Sequence, residues 1–106
     1  MTAKVVDPKT RTERYIAAIE VRIEDLLTEL DDVQVDSFDD YAIQTRIDDL
    51  CRLHADINMR RNPDRAEAVI EDRISRIEEL AIQGRLAKQR IADLSHLKDV
   101  LTGQDD

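Results

Sequence analysis

Apolar residues recur at alternating spacings of three and four along most of this chain, and this period constrains the fold more than any other feature. Near the N-terminus the period runs through Ile16, Ile19, Ile23, Leu26 and Leu30. Such spacing puts the side chains on one face of an α-helix, whereas a half-buried strand would alternate apolar and polar residues. The chain is therefore predicted to be all-α, with coiled-coil-like helix packing.

Composition agrees with this prediction. Charged residues make up 38% of the chain and there are only two glycines and two prolines, which leaves little material for the turns of an all-β fold. Aromatic residues make up 3%, so a core would consist of Ile, Leu, Val and Ala. At 106 residues we expect a single domain over 1–106, and we recognise no internal repeat.

Local start signals divide the chain into helices. Asp7 before Pro8 is typical of a helix start, because Asp accepts bonds from free amides and Pro at the first position has no donor to lose. A first helix is predicted over about 8–33. Ser37 predicts the start of a second helix over about 38–60, and the short connection makes the two helices an antiparallel hairpin.

The third predicted helix is unusually long. Asn62 and Pro63 repeat the cap-then-proline signal, and the apolar period then continues over about 63–102. Gly84 interrupts this stretch and allows a kink or a break. The sequence favours a continuous helix in a three-helix bundle, and the alternative is a helix that breaks at Gly84, with 86–101 folded back as a fourth helix.

A continuous third helix would extend past the first by about 18 Å at about 1.5 Å per residue. The extension is apolar, and such a stripe is unusual on a monomer. The sequence therefore predicts an oligomer, with a second copy or another protein as the partner. The predicted oligomer interface consists of Ile91, Leu94, Leu97, Val100 and Leu101.

Charge is unevenly distributed along the chain, whose net charge is −8. Residues 16–40 are strongly acidic, whereas residues 60–90 carry more bases than acids. In the predicted hairpin, the basic residues near the N-terminus lie at the same end as those in the turn between the second and third helices. An acidic protein can therefore still present a basic tip. Without neighbouring aromatic side chains, nucleic-acid binding there should be weak and non-specific. The possible contacts are Arg11, Arg14, Arg60, Arg61 and Arg65.

Candidate chemical sites are few. Cys51 and His54 form a C-x-x-H pair, but a structural zinc site needs four ligands, so both are interpreted as packing residues. The adjacent carboxylates Asp48 and Asp49 would point about 100° apart on a helix, which predicts that both are solvated. We therefore predict no catalytic residue, no metal and no cofactor, and a protein that is not an enzyme.

No stretch approaches the roughly 20 apolar residues that cross a bilayer, and the N-terminus lacks the apolar segment of a signal peptide. One cysteine fits a reducing compartment. These features predict a cytoplasmic protein without a membrane partner.

Three functions fit the predicted architecture. The first is a non-enzymatic, oligomerising assembly or adaptor protein. The second is a nucleic-acid-handling subunit, such as the oligomeric component of a viral-type, terminase-like DNA-packaging machine. The third is an acidic DNA-mimic inhibitor, whose phosphate-like face on the first helix would be Glu20, Glu24, Asp25, Glu29 and Asp32.

Overall fold

The computed structural model describes residues 8–79 and 84–103, and every regular element within them is a helix. The all-α prediction is confirmed. The four helices are α1 (Pro8–Asp31), α2 (Phe38–Arg60), α3 (Pro63–Glu78) and α4 (Arg85–Thr102).

The prediction of one long third helix is wrong. The helix that begins at Pro63 ends at Glu78, and a separate helix begins after Gly84 and packs back against α3 and α1. Gly84 has extended backbone angles, φ −96° and ψ −172°, so it precedes α4 and does not kink a continuous helix. The fold-back keeps the apolar stripe of α4 out of water, which makes the alternative with a fourth helix the correct one.

The starts of α2 and α3 agree with the sequence, because each depends on a local cap. The Ser37 Oγ accepts a bond from the backbone N of Asp40 at 3.1 Å. The Asn62 Oδ1 accepts bonds from the backbone N of Asp64 and of Arg65, both at 3.1 Å. These contacts satisfy amides that the first turn of a helix leaves without intrahelical partners.

The helices form an up-down-up-down bundle. α1 packs against α2 and α4, and α3 packs against the same two helices from the other side. One core of branched aliphatic side chains runs through the bundle, with Tyr15 as its buried aromatic residue. The largest fully buried side chains are Tyr15, Ile19, Leu26, Leu50, Ile57, Ile70, Leu94, Leu97 and Leu101.

The residues that were predicted to form an oligomer interface are part of this core. Leu94, Leu97 and Leu101 are fully buried within the chain, and Val100 is nearly so. Ile91 is half-buried and packs against the same cluster. The interface prediction at these positions is wrong because it assumed an overhanging helix, and the fold-back gives the stripe partners inside its own chain.

The bundle also contains an internal repeat, so the expectation that the chain has none is wrong. Residues 22–26, 46–50 and 90–94 all read Arg-Ile-x-Asp-Leu, and α3 carries Arg73 followed by Ile. Aligned on these arginines, α1 corresponds to α3 and α2 to α4, and the buried positions agree. The matching buried pairs are Tyr15 with Ala66, Ile19 with Ile70, Leu26 with Ile77, Leu50 with Leu94, Leu53 with Leu97 and Ile57 with Leu101.

Candidate protein-binding surfaces

The interior of the bundle holds a carboxylate of α4 between two arginines of the other hairpin. Asp93 is buried, and its Oδ1 accepts bonds from the Nε and Nη2 of Arg22 at 3.1 and 2.9 Å. Arg46 donates from Nε to Oδ2 at 2.8 Å and from Nη2 to Oδ1 at 2.9 Å. This Asp93 cluster (Asp93, Arg22, Arg46) ties α4 to α1 and α2.

A second cluster repeats this arrangement with the hairpins exchanged. Asp49 of α2 is 2% exposed and accepts bonds from Arg90, Nε to Oδ2 at 2.7 Å and Nη2 to Oδ1 at 2.9 Å. The Nη2 of Arg73 lies 3.2 Å from the Oδ1 of Asp49. The prediction that Asp48 and Asp49 are both solvated is therefore wrong for Asp49. We call these three residues (Asp49, Arg73, Arg90) the Asp49 cluster.

In each cluster two arginines share one carboxylate. Hydrogen bonding to Asp93 raises the pKa of Arg46, and hydrogen bonding to Asp49 raises the pKa of Arg90, in each case against the opposing effect of burial. Both oxygens of each carboxylate accept bonds from arginine, so these buried groups hold helices together. The repeated Arg-Ile-x-Asp-Leu segment is the sequence signal that could have revealed them.

Cys51 and His54 do not lie in the packing seam as predicted. The Cys51 thiol is exposed. The Nε2 of His54 lies 3.0 Å from the Oε2 of Glu20, and its Nδ1 lies 3.0 Å from the Nδ2 of Asn58. In the described part of the chain, no group of three or more His, Cys, Asp or Glu side chains could hold a metal ion.

The basic tip brings α1 and the α2–α3 turn together, with acids between the bases. The Nη2 of Arg11 lies 3.8 Å from the Oδ1 of Asp64. The Nε of Arg60 lies 3.2 Å from the Oδ1 of Asp56. The other predicted nucleic-acid contacts are half-buried or exposed: Arg14, Arg61 and Arg65.

The acidic face proposed for DNA mimicry lies on the outside of α1 and its C-terminal turn. All of its members are exposed: Glu20, Glu24, Asp25, Glu29 and Asp32. Exposed acids are also what a solvated helix face carries, so mimicry stays a prediction.

The opposite end of the bundle exposes large apolar side chains. Val35 in the α1–α2 turn is 78% exposed, and Phe38 and Tyr41 at the start of α2 are each 62% exposed. We call these three residues the aromatic patch. Phe38 and Tyr41 are two of the three aromatic residues in the chain, and the third, Tyr15, is buried in the core.

The turn that carries the aromatic patch is ordered by its own acids. Asp36 has a positive φ of 66°, and its backbone N donates to the Oδ2 of Asp40 at 2.9 Å. The Nε2 of Gln44 donates to the Oδ1 of Asp40 at 2.8 Å. Both bonds lower the pKa of Asp40, and the bond from Gln44 has the larger effect. The carboxylate of Asp40 therefore stays charged beside Tyr41.

A groove of about 660 Å³ runs between α1 and α4. Its walls are small or apolar in the middle and charged at the margins. Its lining includes Arg14, Ala17, Val21, Arg22, Ala92 and His96. We call this concave surface the α1–α4 groove.

No known protein family, no curated protein and no solved structure matches this chain. Within the described residues, no helix is long and apolar enough to span a membrane.

Proposed function

We propose that this chain is a non-enzymatic assembly or adaptor protein that binds a protein partner through the aromatic patch. The observation that carries the proposal is the exposure of Val35, Phe38 and Tyr41, within seven residues of the sequence, at one end of a bundle whose other aromatic residue is buried. Tyrosine and other aromatic residues are enriched among the side chains that supply most of the energy of protein interfaces.

The surroundings of the patch favour a basic partner. Exposed acids flank it in the turn and in the first turn of α2, including Asp36 and Asp39, and Asp40 remains charged. Opposite charges around an apolar contact steer association and suppress wrong partners. We therefore expect the partner to present Lys or Arg around an apolar cleft or side chain.

The test is a titration of the purified full chain with a designed amphipathic Lys–Leu helical peptide, measured by calorimetry. Phe38→Ala with Tyr41→Ala should weaken binding at least about tenfold, because each aromatic anchor contributes more than about 1 kcal/mol. A Glu–Leu peptide of the same length should not bind.

Met59→Ala is the matched control. Met59 is 82% exposed in the last turn of α2, far from the α1–α2 turn, so its loss should leave binding unchanged. Equal affinities for the wild type and the Phe38/Tyr41 variant would contradict the proposal, since attraction to net negative charge would then explain all of the binding.

A further inference from the structure

The α1–α4 groove differs from the face that the internal repeat makes equivalent to it. Val21 of α1 corresponds to Asp72 of α3, and Ala92 of α4 corresponds to Asp48 of α2. On the α2–α3 face both aspartates are exposed and form ion pairs, Asp72 with Arg76 and Asp48 with Arg52, each at 2.9 Å. The bundle therefore tolerates charge at these positions, yet the groove carries small and apolar side chains.

The centre of the groove is accessible to a partner. Val21 is 57% exposed, and Ala17 and Ala92 are exposed beside it. Small side chains allow another apolar group to approach the helix backbones closely, and the volume of about 660 Å³ suits one or two aromatic rings.

The margins of the groove carry more positive charge than the protein as a whole. Arg22 and Asp93 lie in its wall, and the buried Arg46, which also bonds to Asp93, adds a second guanidinium group close to that carboxylate. Arg14 and His96 also line the groove, and Asp25 is its other acid. In a chain of net charge −8, this is an apolar concavity suited to an acidic ligand.

We propose that the α1–α4 groove binds the aromatic patch of a second copy of this chain. The inference rests on the proposed function, because it uses the same patch as the inserted surface. Charge complementarity identifies the occupant: the patch is apolar and surrounded by aspartates, and the groove is apolar and flanked by arginines. Phe38 and Tyr41 fill the space over Ala17, Val21 and Ala92.

Such a contact joins two different surfaces, so each copy keeps one unused patch and one unused groove. A head-to-tail contact of this kind continues until it closes into a ring or grows as a filament. The predicted oligomer interface on α4 thus moves from its buried stripe to its exposed side with α1.

Two variants of the full chain separate the surfaces. The patch variant is Phe38→Ser with Tyr41→Ser. The groove variant is Val21→Asp with Ala92→Asp, which introduces the residues that the other hairpin already carries at the equivalent positions, so the fold should survive. Circular dichroism checks that both variants keep the helix content of the wild type.

Sedimentation velocity over a range of concentrations is the measurement. The wild type should form species larger than a dimer as concentration rises, and each variant on its own should lose at least about tenfold in association constant. An equimolar mixture of the two variants should form a heterodimer and nothing larger, because only the groove of one and the patch of the other remain intact.

A control with the same added charge is Met59→Asp with Ala68→Asp, both at exposed positions away from the groove, and it should associate like the wild type. A mixture that stays monomeric, a groove variant that still assembles, or a wild type that is monomeric throughout would overturn the inference. The proposed function is contradicted by a separate result, equal affinity of the Lys–Leu peptide for the wild type and for the Phe38/Tyr41 variant.

Discussion

Asp48 and Asp49 are neighbours in α2 with the same side chain, and the structure gives them opposite roles. Asp48 is exposed and pairs with Arg52 one turn away. Asp49 is buried between Arg73 and Arg90. The difference comes from the helix rotation between adjacent residues, which turns one carboxylate to solvent and the other to the interior.

This contrast gives a prediction for single substitutions. Asp49→Ala should lower the free energy of unfolding by about 3 kcal/mol, because it leaves two partly buried guanidinium groups without a carboxylate. Asp48→Ala is the matched control and should cost less than about 1 kcal/mol, as expected for an exposed ion pair. Urea denaturation followed by circular dichroism measures both, and equal losses would contradict the assignment of Asp49 to the interior.

The sequence did not reveal Asp49 because a period of apolar residues says nothing about a buried polar layer. Arg46 and Arg90 each precede an isoleucine, and their aspartates each precede a leucine, in positions that a packing-seam pattern assigns to solvated flanks. Their burial depends on arginines from other helices, which only the tertiary arrangement brings within bonding distance. Comparison of the Arg-Ile-x-Asp-Leu segments of α2 and α4 would have pointed to a common environment for Asp49 and Asp93, whereas Asp25 in the α1 segment is exposed.

Among the helices, α4 is the one whose start cannot be located from a local capping signal in the sequence. Ser37 and Asn62 locate helix starts because their side chains bond to amides two or three residues away. Gly84 carries no such side chain and makes no side-chain cap bond. Whether this segment continues as one long helix or folds back therefore depends on which residues pack against the apolar stripe of α4, and this is set by the tertiary structure.

The position of α4 in the core predicts the effect of placing charge on its two faces. Leu94→Asp with Leu97→Asp should abolish the cooperative unfolding transition of the whole chain, because both side chains lie in the shared core and would become buried charges. Ala92→Asp alters an exposed position of the same helix and should leave the transition in place. Retention of the α1–α2 helix content in the double variant, seen by circular dichroism, would contradict the shared core.

At the scale of the whole molecule, the net negative charge and the basic tip have opposite effects on the binding of a nucleic acid. Arg11 and Arg60 are paired with aspartates, and the chain carries a net charge of −8, so a nucleic acid meets attraction only over a small area. Nucleic-acid handling was predicted from the tip and stays a prediction. Any such binding should depend on the oligomer, in which several tips come close together.

The corresponding experiment is a gel shift at low and physiological salt. Wild-type binding to duplex DNA should be weak and should fall steeply as salt rises, and Arg60→Glu with Arg61→Glu should remove it. Arg52→Glu with Arg76→Glu makes the same charge change on the α2–α3 face and should keep the binding that the wild type shows. Tight, sequence-specific binding at physiological salt would contradict this distribution of charge.

The reciprocal clusters also have a consequence for how the chain is made. Arg22 and Arg46 belong to the hairpin that leaves the ribosome first, but Asp93, the carboxylate that accepts bonds from both, is synthesised with α4. Asp49 likewise waits for Arg73 and Arg90. During translation the first hairpin therefore lacks the partners of these charges until α3 and α4 follow. We expect the interior to close only when α4 arrives, so that folding is concerted although synthesis is sequential.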